Sequence, residues 1–250
     1  MKELTLSEKI DKIKDFRPID DVFFEVLAQD PKVCEEILQV ILEDSELQVE
    51  DVIVQSSERN LYGRSVRLDA LCTLGNGTKC NIEIQRSDND NHLKRARFNA
   101  ANITVRESNP RDKFDDVIEV YIVYISEFDI FKEGKTIYHV EKVLKETGTV
   151  VDDGLHEIFV NTTIDDGSAI ADLMNCFTKK EVNNPKFPKF SKRVKELKTT
   201  EGGANAMCEV MEKYLVQQLV ELVREGLLKV ADAARKANMS EEEFRALLNK

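Results

Sequence analysis

Two acidic residues, Asp69 and Glu83, lie in short alternating segments on either side of a glycine-containing turn. Residues 66–74 and 79–85 place apolar side chains at even positions and mostly polar side chains at odd positions. This alternation predicts two strands, each with one apolar face and one polar face that carries the acid. The pattern favours a three-residue loop with Gly77 in the left-handed conformation, because only that loop keeps the apolar side chains on one face.

The length of the loop decides whether the two carboxylates meet. A three-residue loop predicts that Asp69 lies opposite Glu83, Arg67 opposite Gln85, and Cys72 opposite Cys80. A two-residue turn would slip the pairing by one residue and set Asp69 opposite Ile84 instead.

Two opposed carboxylates indicate a metal site. They repel each other when nothing lies between them, and a divalent cation would remove that cost. Carboxylate oxygens are hard ligands that suit Mg²⁺ or Mn²⁺, which also retain waters and substrate phosphates. The alternative is a solvated sheet face on which the two acids pair with Arg67 and Lys79.

The acid pair resembles the core of the PD-(D/E)XK nuclease superfamily, in which an Asp ends one strand and an acid-x-Lys motif occupies the next. Asp69 is followed after thirteen residues by Glu83-Ile84-Gln85. The wider sequence, over roughly residues 15–200, resembles the recombination-promoting nuclease/putative transposase (Rpn-type) branch more closely. The matching segments are Arg17–Phe24, Gly63–Asp69, Glu83–Gln85, Val120–Ile125 and Asn183–Pro188.

The sequence departs from the superfamily pattern at two positions. Leu68 stands where the motif has Pro, and Gln85 stands where it has Lys. The Gln form is familiar in this branch, and it leaves open which group orients the attacking water.

The resemblance implies a Mg²⁺- or Mn²⁺-dependent endonuclease that hydrolyses DNA phosphodiester bonds in recombination or transposition. Asp69, Glu83 and the backbone carbonyl of Ile84 would hold the metal, which polarises the phosphoryl oxygen and activates a water molecule. Gln85 would position that water. The rival interpretation is a non-catalytic DNA-binding or protein-interaction module that retains the nuclease fold, which the missing Lys and the acidic composition favour.

An acid on an early helix often joins such sites. Asp21 and Glu25 are the candidates here. A capping role at the start of the helix explains Asp21 equally well.

The segment His92–Arg97 carries the concentrated basic signal that we assign to DNA binding. The residues in question are His92, Lys94, Arg95 and Arg97. Helical spacing predicts one stripe for the core, made of Leu93, Ala96, Ala100 and Ile103. A second stripe, made of His92, Arg95, Asn99 and Asn102, would reach either DNA phosphates or the carboxylate pair. Arg95 or Lys94 would then stabilise the charge of the pentavalent phosphate. The alternative is a solvated helix face.

Composition limits the class of protein. The 250 residues carry a formal net charge of −11, which argues against a protein that coats nucleic acid nonspecifically. The five cysteines form no Cys-x-x-Cys pair, so neither a disulfide framework nor a zinc site is expected. We expect a cytoplasmic protein, since neither a signal peptide nor an apolar run of membrane-spanning length is evident.

The order of elements predicts an α/β fold with a restriction-endonuclease-like core. Its parts are a helix over residues 31–42, a three-stranded meander over 49–85, a helix that follows a capping box at 87–90 and reaches about residue 106, and a buried strand over 117–125. A hairpin over 138–162 and a helix over 168–177 follow. We predict a nuclease-like domain over residues 1–200 and a helical extension over 201–250.

The C-terminal extension begins after Gly202-Gly203, where the chain is expected to break. A long amphipathic helix is predicted over residues 204–224, followed by two short helices joined at Asn238-Met239. Such a pair is compatible with a helix-turn-helix DNA reader. A hairpin that serves packing, or self-association into a homo-oligomer, is the alternative that we favour, because few basic residues lie there.

Overall fold

The computed structural model describes residues 5–58, 66–111 and 113–248. The Gly63–Ser65 part of one family-like segment lies outside the described residues. The helices are α1 (Leu6–Ile13), α2 (Asp21–Leu27), α3 (Pro31–Ile41), α4 (His92–Glu107), α5 (Ala169–Thr178), α6 (Pro188–Thr199), α7 (Glu201–Arg224), α8 (Val230–Ala237) and α9 (Glu241–Leu248). The strands are β1 (Val49–Glu58), β2 (Val66–Leu74), β3 (Lys79–Gln85), β4 (Val120–Ser126), β5 (Ile137–Val140), β6 (Lys142–Val143), β7 (Val150–Val151) and β8 (Leu155–Asn161).

Six of these strands form one mixed sheet in the order β1-β2-β3-β4-β8-β5, and β6 pairs with β7 separately. Strands β1, β2 and β3 are an antiparallel meander. Strand β4 is parallel to both β3 and β8, and β5 is antiparallel to β8. Because β3 and β4 are parallel, they need the crossover that α4 supplies. The predicted restriction-endonuclease-like order of helix, meander, helix and strand is confirmed.

The β2–β3 hairpin has the predicted loop and register. Gly77 is left-handed, with φ of 86°. Cys72 lies opposite Cys80 and Ala70 opposite Ile82, so the same register sets Asp69 level with Glu83. Both cysteines are buried in the core as free thiols.

Helices cover both faces of the sheet, which contradicts the alternative of a solvated polar face. Helix α4 packs on one side through Ala96, Ala100 and Ile103, which join an apolar cluster with Ile122 and Tyr124. Helices α2 and α3 contact β1, β2 and β3, and α5 contacts α3. Glu83 is therefore completely buried although it lies among the polar, odd-numbered positions.

Helix α4 differs in two details from the prediction. Its N-cap is Asn91, whose side chain accepts a hydrogen bond from the Lys94 N–H, so the capping box predicted at residues 87–90 is wrong. Leu93 was assigned to the core stripe, but 45% of it is exposed. The helix begins later than predicted because Asn91 is the residue whose side chain satisfies the first free N–H groups.

The structure divides into two compact units, one of residues 14–196 and one that groups α1 with residues 197–248. The first unit contains the sheet. In the second, α7, α8 and α9 share a small core around Leu219, Ala233 and Phe244. The domain assignment of residues 1–200 and 201–250 stays a prediction. Within the described residues, none of the helices is both long and apolar enough to cross a membrane.

Candidate active site

Asp69 and Glu83 come together where strands β2 and β3 begin to separate. The Asp69 Oδ2 atom accepts a hydrogen bond of 3.0 Å from the Ile84 backbone N–H. The side chain of Asp69 thus takes the place of a ladder carbonyl. The two acids lie side by side on the sheet, as the sequence predicted.

Strand β1 is also irregular at this level. Val54 pairs with Ala70 and Ser56 with Leu68, whereas Gln55 faces Asp69 without regular pairing. Gln55 has φ of 52°, which is unusual for a residue with a side chain. Strained backbone of this kind is often found at functional sites.

The Glu83 carboxylate is held from both sides. Its Oε1 atom accepts hydrogen bonds from Arg95 Nη2 at 2.7 Å and from Arg95 Nε at 3.0 Å. Its Oε2 atom accepts one from Asn81 Nδ2 at 3.2 Å. Of the two roles left open for Arg95, the structure shows the contact with the carboxylate pair.

Gln85 ends strand β3 beside the same guanidinium. Arg95 Nη1 donates to Gln85 Oε1 at 3.3 Å, and Gln85 Nε2 donates to the Ser87 carbonyl at 2.9 Å. Arg95 is therefore the positive group nearest to the position where the nuclease motif has Lys.

Burial raises the pKa of both acids of the pair. For Asp69 the neighbouring Glu83 charge raises the pKa further, well above its usual range, and the Ile84 N–H opposes this only in part. For Glu83 the Arg95 charge and the Asn81 amide oppose the effect of burial without cancelling it. Each carboxyl resists ionisation because it is buried beside the other. A cation bound between them would stabilise both negative charges, so this site favours an added cation.

The early-helix candidates Asp21 and Glu25 differ in their surroundings. Desolvation raises the pKa of Asp21, with Arg86 and Arg95 opposing it, and the Asp21 charge in turn raises the pKa of Asp69. Glu25 is buried with a carboxylate oxygen 3.7 Å from the Arg67 guanidinium. The structure thus shows an electrostatic interaction between Asp21 and Asp69.

The basic residues of α4 differ in their burial and in their contacts. His92 is buried, with Nδ1 2.9 Å from the Tyr124 hydroxyl and Nε2 3.2 Å from Asp88 Oδ1. Lys94 and Arg97 are exposed. Contact between His92 and DNA would need this ring to leave its packed position, so the exposed residues are better placed to reach phosphates.

An ion-pair network that was not predicted from the sequence lies beside the site. Arg86 Nη1 lies 2.9 Å from Asp20 Oδ1, and Arg86 Nε lies 3.3 Å from Glu127 Oε2. Arg17 pairs with the same two acids. The network connects the start of α2 with the ends of β3 and β4. Only Arg17 and Asp20 carried a signal in the sequence, as part of a family-like segment.

The donor set near Asp69 fits a hard divalent cation. Two carboxylates are available, and the Ile84 carbonyl points to the same side of β3 as the N–H that binds Asp69, since both groups of a strand residue face one neighbour. Residues 5–58, 66–111 and 113–248 contain no group of three or more His, Cys, Asp or Glu arranged to bind a metal. Mg²⁺ needs only one or two carboxylates, because water and phosphate complete its shell.

Comparison with known families agrees with this geometry. The family described as PD-(D/E)XK nuclease family transposase matches residues 19–167. The chain belongs to this family. No curated protein and no solved structure gives a significant match.

The matched segment contains each residue that was assigned to the site. Its final part includes the loop after β8, and α5 to α9 lie beyond it. The family therefore accounts for the sheet and α4, and it says nothing about the C-terminal helices.

A large cavity lies elsewhere in the nuclease-like unit. It has a volume of about 600 Å³ and lies at the amino-terminal ends of β4 and β8, where Tyr121 stacks on His156. Acidic side chains such as Glu119, Asp152 and Glu157 line it. Since the acid pair lies toward the opposite ends of the strands, this cavity is separate from the candidate active site.

Proposed function

We propose that the protein is a Mg²⁺- or Mn²⁺-dependent DNA endonuclease associated with recombination or transposition. The observation that carries this proposal is the Asp69–Glu83 pair on adjacent strands, with the Ile84 backbone bound to Asp69. The family supports nuclease chemistry and DNA as the substrate. A cytoplasmic location remains part of the proposal.

Each residue of the site has a role in phosphodiester hydrolysis. A bound divalent cation supplies a Lewis acid and a water of lowered pKa. Asp69, Glu83 and the Ile84 carbonyl are its proposed ligands. Gln85 orients the attacking water through its amide, and Arg95 is close enough to the pair to offset negative charge at the phosphate.

Helix α4 provides the proposed contacts with DNA. Lys94 and Arg97 are exposed and can neutralise phosphates. Arg95 acts at the candidate active site, because its guanidinium binds Glu83 and Gln85. His92 holds the start of α4 in place through its hydrogen bond with Tyr124. Because the ring is buried, its contact with DNA is limited.

A second candidate function is a non-catalytic DNA-binding or interaction module. Two observations favour it: Gln85 replaces the motif Lys, and Arg95 already neutralises Glu83. In that case the acid pair would stabilise the fold without binding a metal.

The experiment that separates the two is cleavage of supercoiled plasmid by purified protein. The nuclease proposal predicts nicked and linear products with Mg²⁺ or Mn²⁺ and none with EDTA. A module without activity would leave the plasmid intact under all three conditions, even at protein concentrations that shift its mobility in a gel.

A further inference from the structure

Arg95 occupies the side of Glu83 that a cation would use. Two of its N–H groups bind Oε1, at 2.7 Å and 3.0 Å, while Asn81 binds Oε2. Both oxygens of Glu83 are therefore engaged. A metal ion that binds this carboxylate must share an oxygen with one of these donors or displace it.

The charge of each donor determines whether a bound metal ion displaces it from Glu83. Asn81 is neutral and lies on the same strand as Glu83, so it can keep its hydrogen bond while the other oxygen binds an ion. Arg95 carries a full positive charge, and a divalent cation on the same carboxylate would repel it. Binding of the metal and binding of the guanidinium thus oppose each other.

The position of Arg95 allows it to move. Its side chain is 36% exposed, whereas that of Glu83 is 0% exposed. It comes from α4 and not from β3, so it can leave the carboxylate without disturbing the strand. The next nearest acceptor on its guanidinium is the Gln85 amide oxygen, at the edge of the site.

We propose that Arg95 is an internal counter-ion that competes with the divalent cation for Glu83 and is released when the metal binds. This inference rests on the proposed metal site. Arg95 then acts as a positioning residue: it holds Glu83 in the metal-free protein. A phosphate of bound DNA replaces the lost anion when Arg95 is released, so metal and DNA favour each other's binding.

The test is calorimetric titration of the full chain with Mn²⁺ in the absence of DNA. Arg95→Met removes the charge and keeps much of the side-chain length. We expect it to bind Mn²⁺ roughly tenfold more tightly than the wild type, because the competing cation is gone. Arg106→Met, a substitution of an exposed residue on the same helix with no role in the proposed site, should leave the affinity unchanged.

Two further variants show whether the effect acts through Glu83. Arg95→Lys retains a cation and should restore most of the wild-type affinity. In a Glu83→Gln background the carboxylate that both cations use is absent, so Arg95→Met should no longer tighten Mn²⁺ binding.

Thermal unfolding gives an independent measure if Arg95→Met is less stable. Without metal its melting temperature should fall below that of the wild type, because a buried carboxylate loses its partner. Saturating Mn²⁺ should raise it by more than it raises the wild type.

Unchanged or weaker Mn²⁺ affinity in Arg95→Met would overturn the counter-ion proposal. If the wild type nevertheless cleaves plasmid with Mg²⁺, the proposed function stands and only this inference fails. If none of the variants binds Mn²⁺ and none cleaves DNA, both fail together.

Discussion

The two acids of the pair are not equivalent, because their hydrogen-bond partners differ. Glu83 is neutralised by Arg95 and bound by Asn81, so its removal leaves a charged guanidinium and a buried amide without their acceptor. Asp69 receives one backbone N–H, and a neutral side chain can accept the same bond. The two losses are therefore expected to differ: loss of the Asp69 charge relieves repulsion, whereas loss of Glu83 also leaves its donors unpaired.

Asp69→Asn should abolish metal-dependent cleavage and stabilise the metal-free protein. Removal of one of two adjacent like charges should raise the free energy of unfolding by roughly 0.5–1 kcal/mol. Urea denaturation in EDTA measures the change, with Glu50→Gln on an exposed part of β1 as the control. A clear loss of stability in Asp69→Asn would show that the carboxylates do not repel each other.

Loss of the Gln85 side chain should slow cleavage less than loss of a metal ligand. Gln85→Ala removes the amide that is proposed to orient the water, and one acceptor of Arg95, but leaves both carboxylates in place. We expect single-turnover cleavage to slow by roughly 10²-fold, in the range for a positioned catalytic group. A rate as low as that of Asp69→Asn would instead place Gln85 among the groups that hold the metal.

Among the elements, the β2–β3 hairpin was predictable because its information is local. Alternation and Gly77 determine the register between them, and Cys72 opposite Cys80 follows directly. The partners of Glu83 on other elements were not predictable to the same degree. Arg95 was one of two options, and Tyr124 was assigned only to a buried strand, since contacts between distant segments depend on packing and not on a local pattern.

No element was predicted between residues 178 and 200, where the structure has helix α6. Pro188 stands at its first position, where proline is favoured. Gly202 and Gly203 likewise lie in the first turn of α7, with Thr200 as the N-cap that binds the Gly203 N–H. Residues 179–198 also contain eight basic and two acidic residues, so α4 is not the only basic segment.

Substitutions on the two basic helices distinguish DNA binding by α4 from DNA binding by α6. Lys94→Ala with Arg97→Ala on α4 should weaken binding about equally across sequences and flatten the salt dependence by roughly one unit of slope per lost phosphate contact. Lys192→Ala with Lys195→Ala on α6 is the matched comparison. Fluorescence anisotropy in EDTA measures both. If only the α6 variant flattens the slope, α4 is a solvated face.

The loop between β4 and β5 depends on Asp129. Its Oδ1 atom accepts from the Tyr138 hydroxyl at 2.8 Å and from two backbone N–H groups, and its Oδ2 atom accepts from the Gly134 N–H. Burial alone would raise the pKa of Asp129, but these hydrogen bonds outweigh it and lower the pKa. The stabilisation is therefore complete above the ordinary Asp pKa and is lost as the pH falls through the lower folded value.

Asp129→Asn should consequently destabilise the protein at neutral pH more than in acid. We expect about 1.5 kcal/mol at pH 7, the lower end of the range for hydrogen bonds that involve a charged group, because Asn retains one acceptor oxygen. The difference from the wild type should shrink below about pH 4. Urea denaturation at both pH values measures it, with the exposed Asp115→Asn as the control; a difference that is constant with pH would contradict the role of the charge.

At the scale of the whole molecule, self-association through the C-terminal helices stays a prediction. Leu215 and Leu222 lie seven residues apart on α7 and are 46% and 38% exposed. We predict that Leu215→Lys with Leu222→Lys yields a smaller assembly in sedimentation experiments, whereas Glu212→Lys on the same helix does not. An unchanged sedimentation coefficient for the leucine variant would remove this helix face as the interface.

The central claim is that the Asp69–Glu83 pair supports metal-dependent cleavage of DNA. The most direct measurement compares the wild type with Asp69→Asn in the plasmid-nicking assay, using identically purified proteins and Mg²⁺ or Mn²⁺. The two side chains have nearly the same shape, so the comparison removes one charge from the site and also controls for contaminating nuclease. We predict nicking by the wild type and none by Asp69→Asn. Equal nicking by both, or by neither, would contradict the claim.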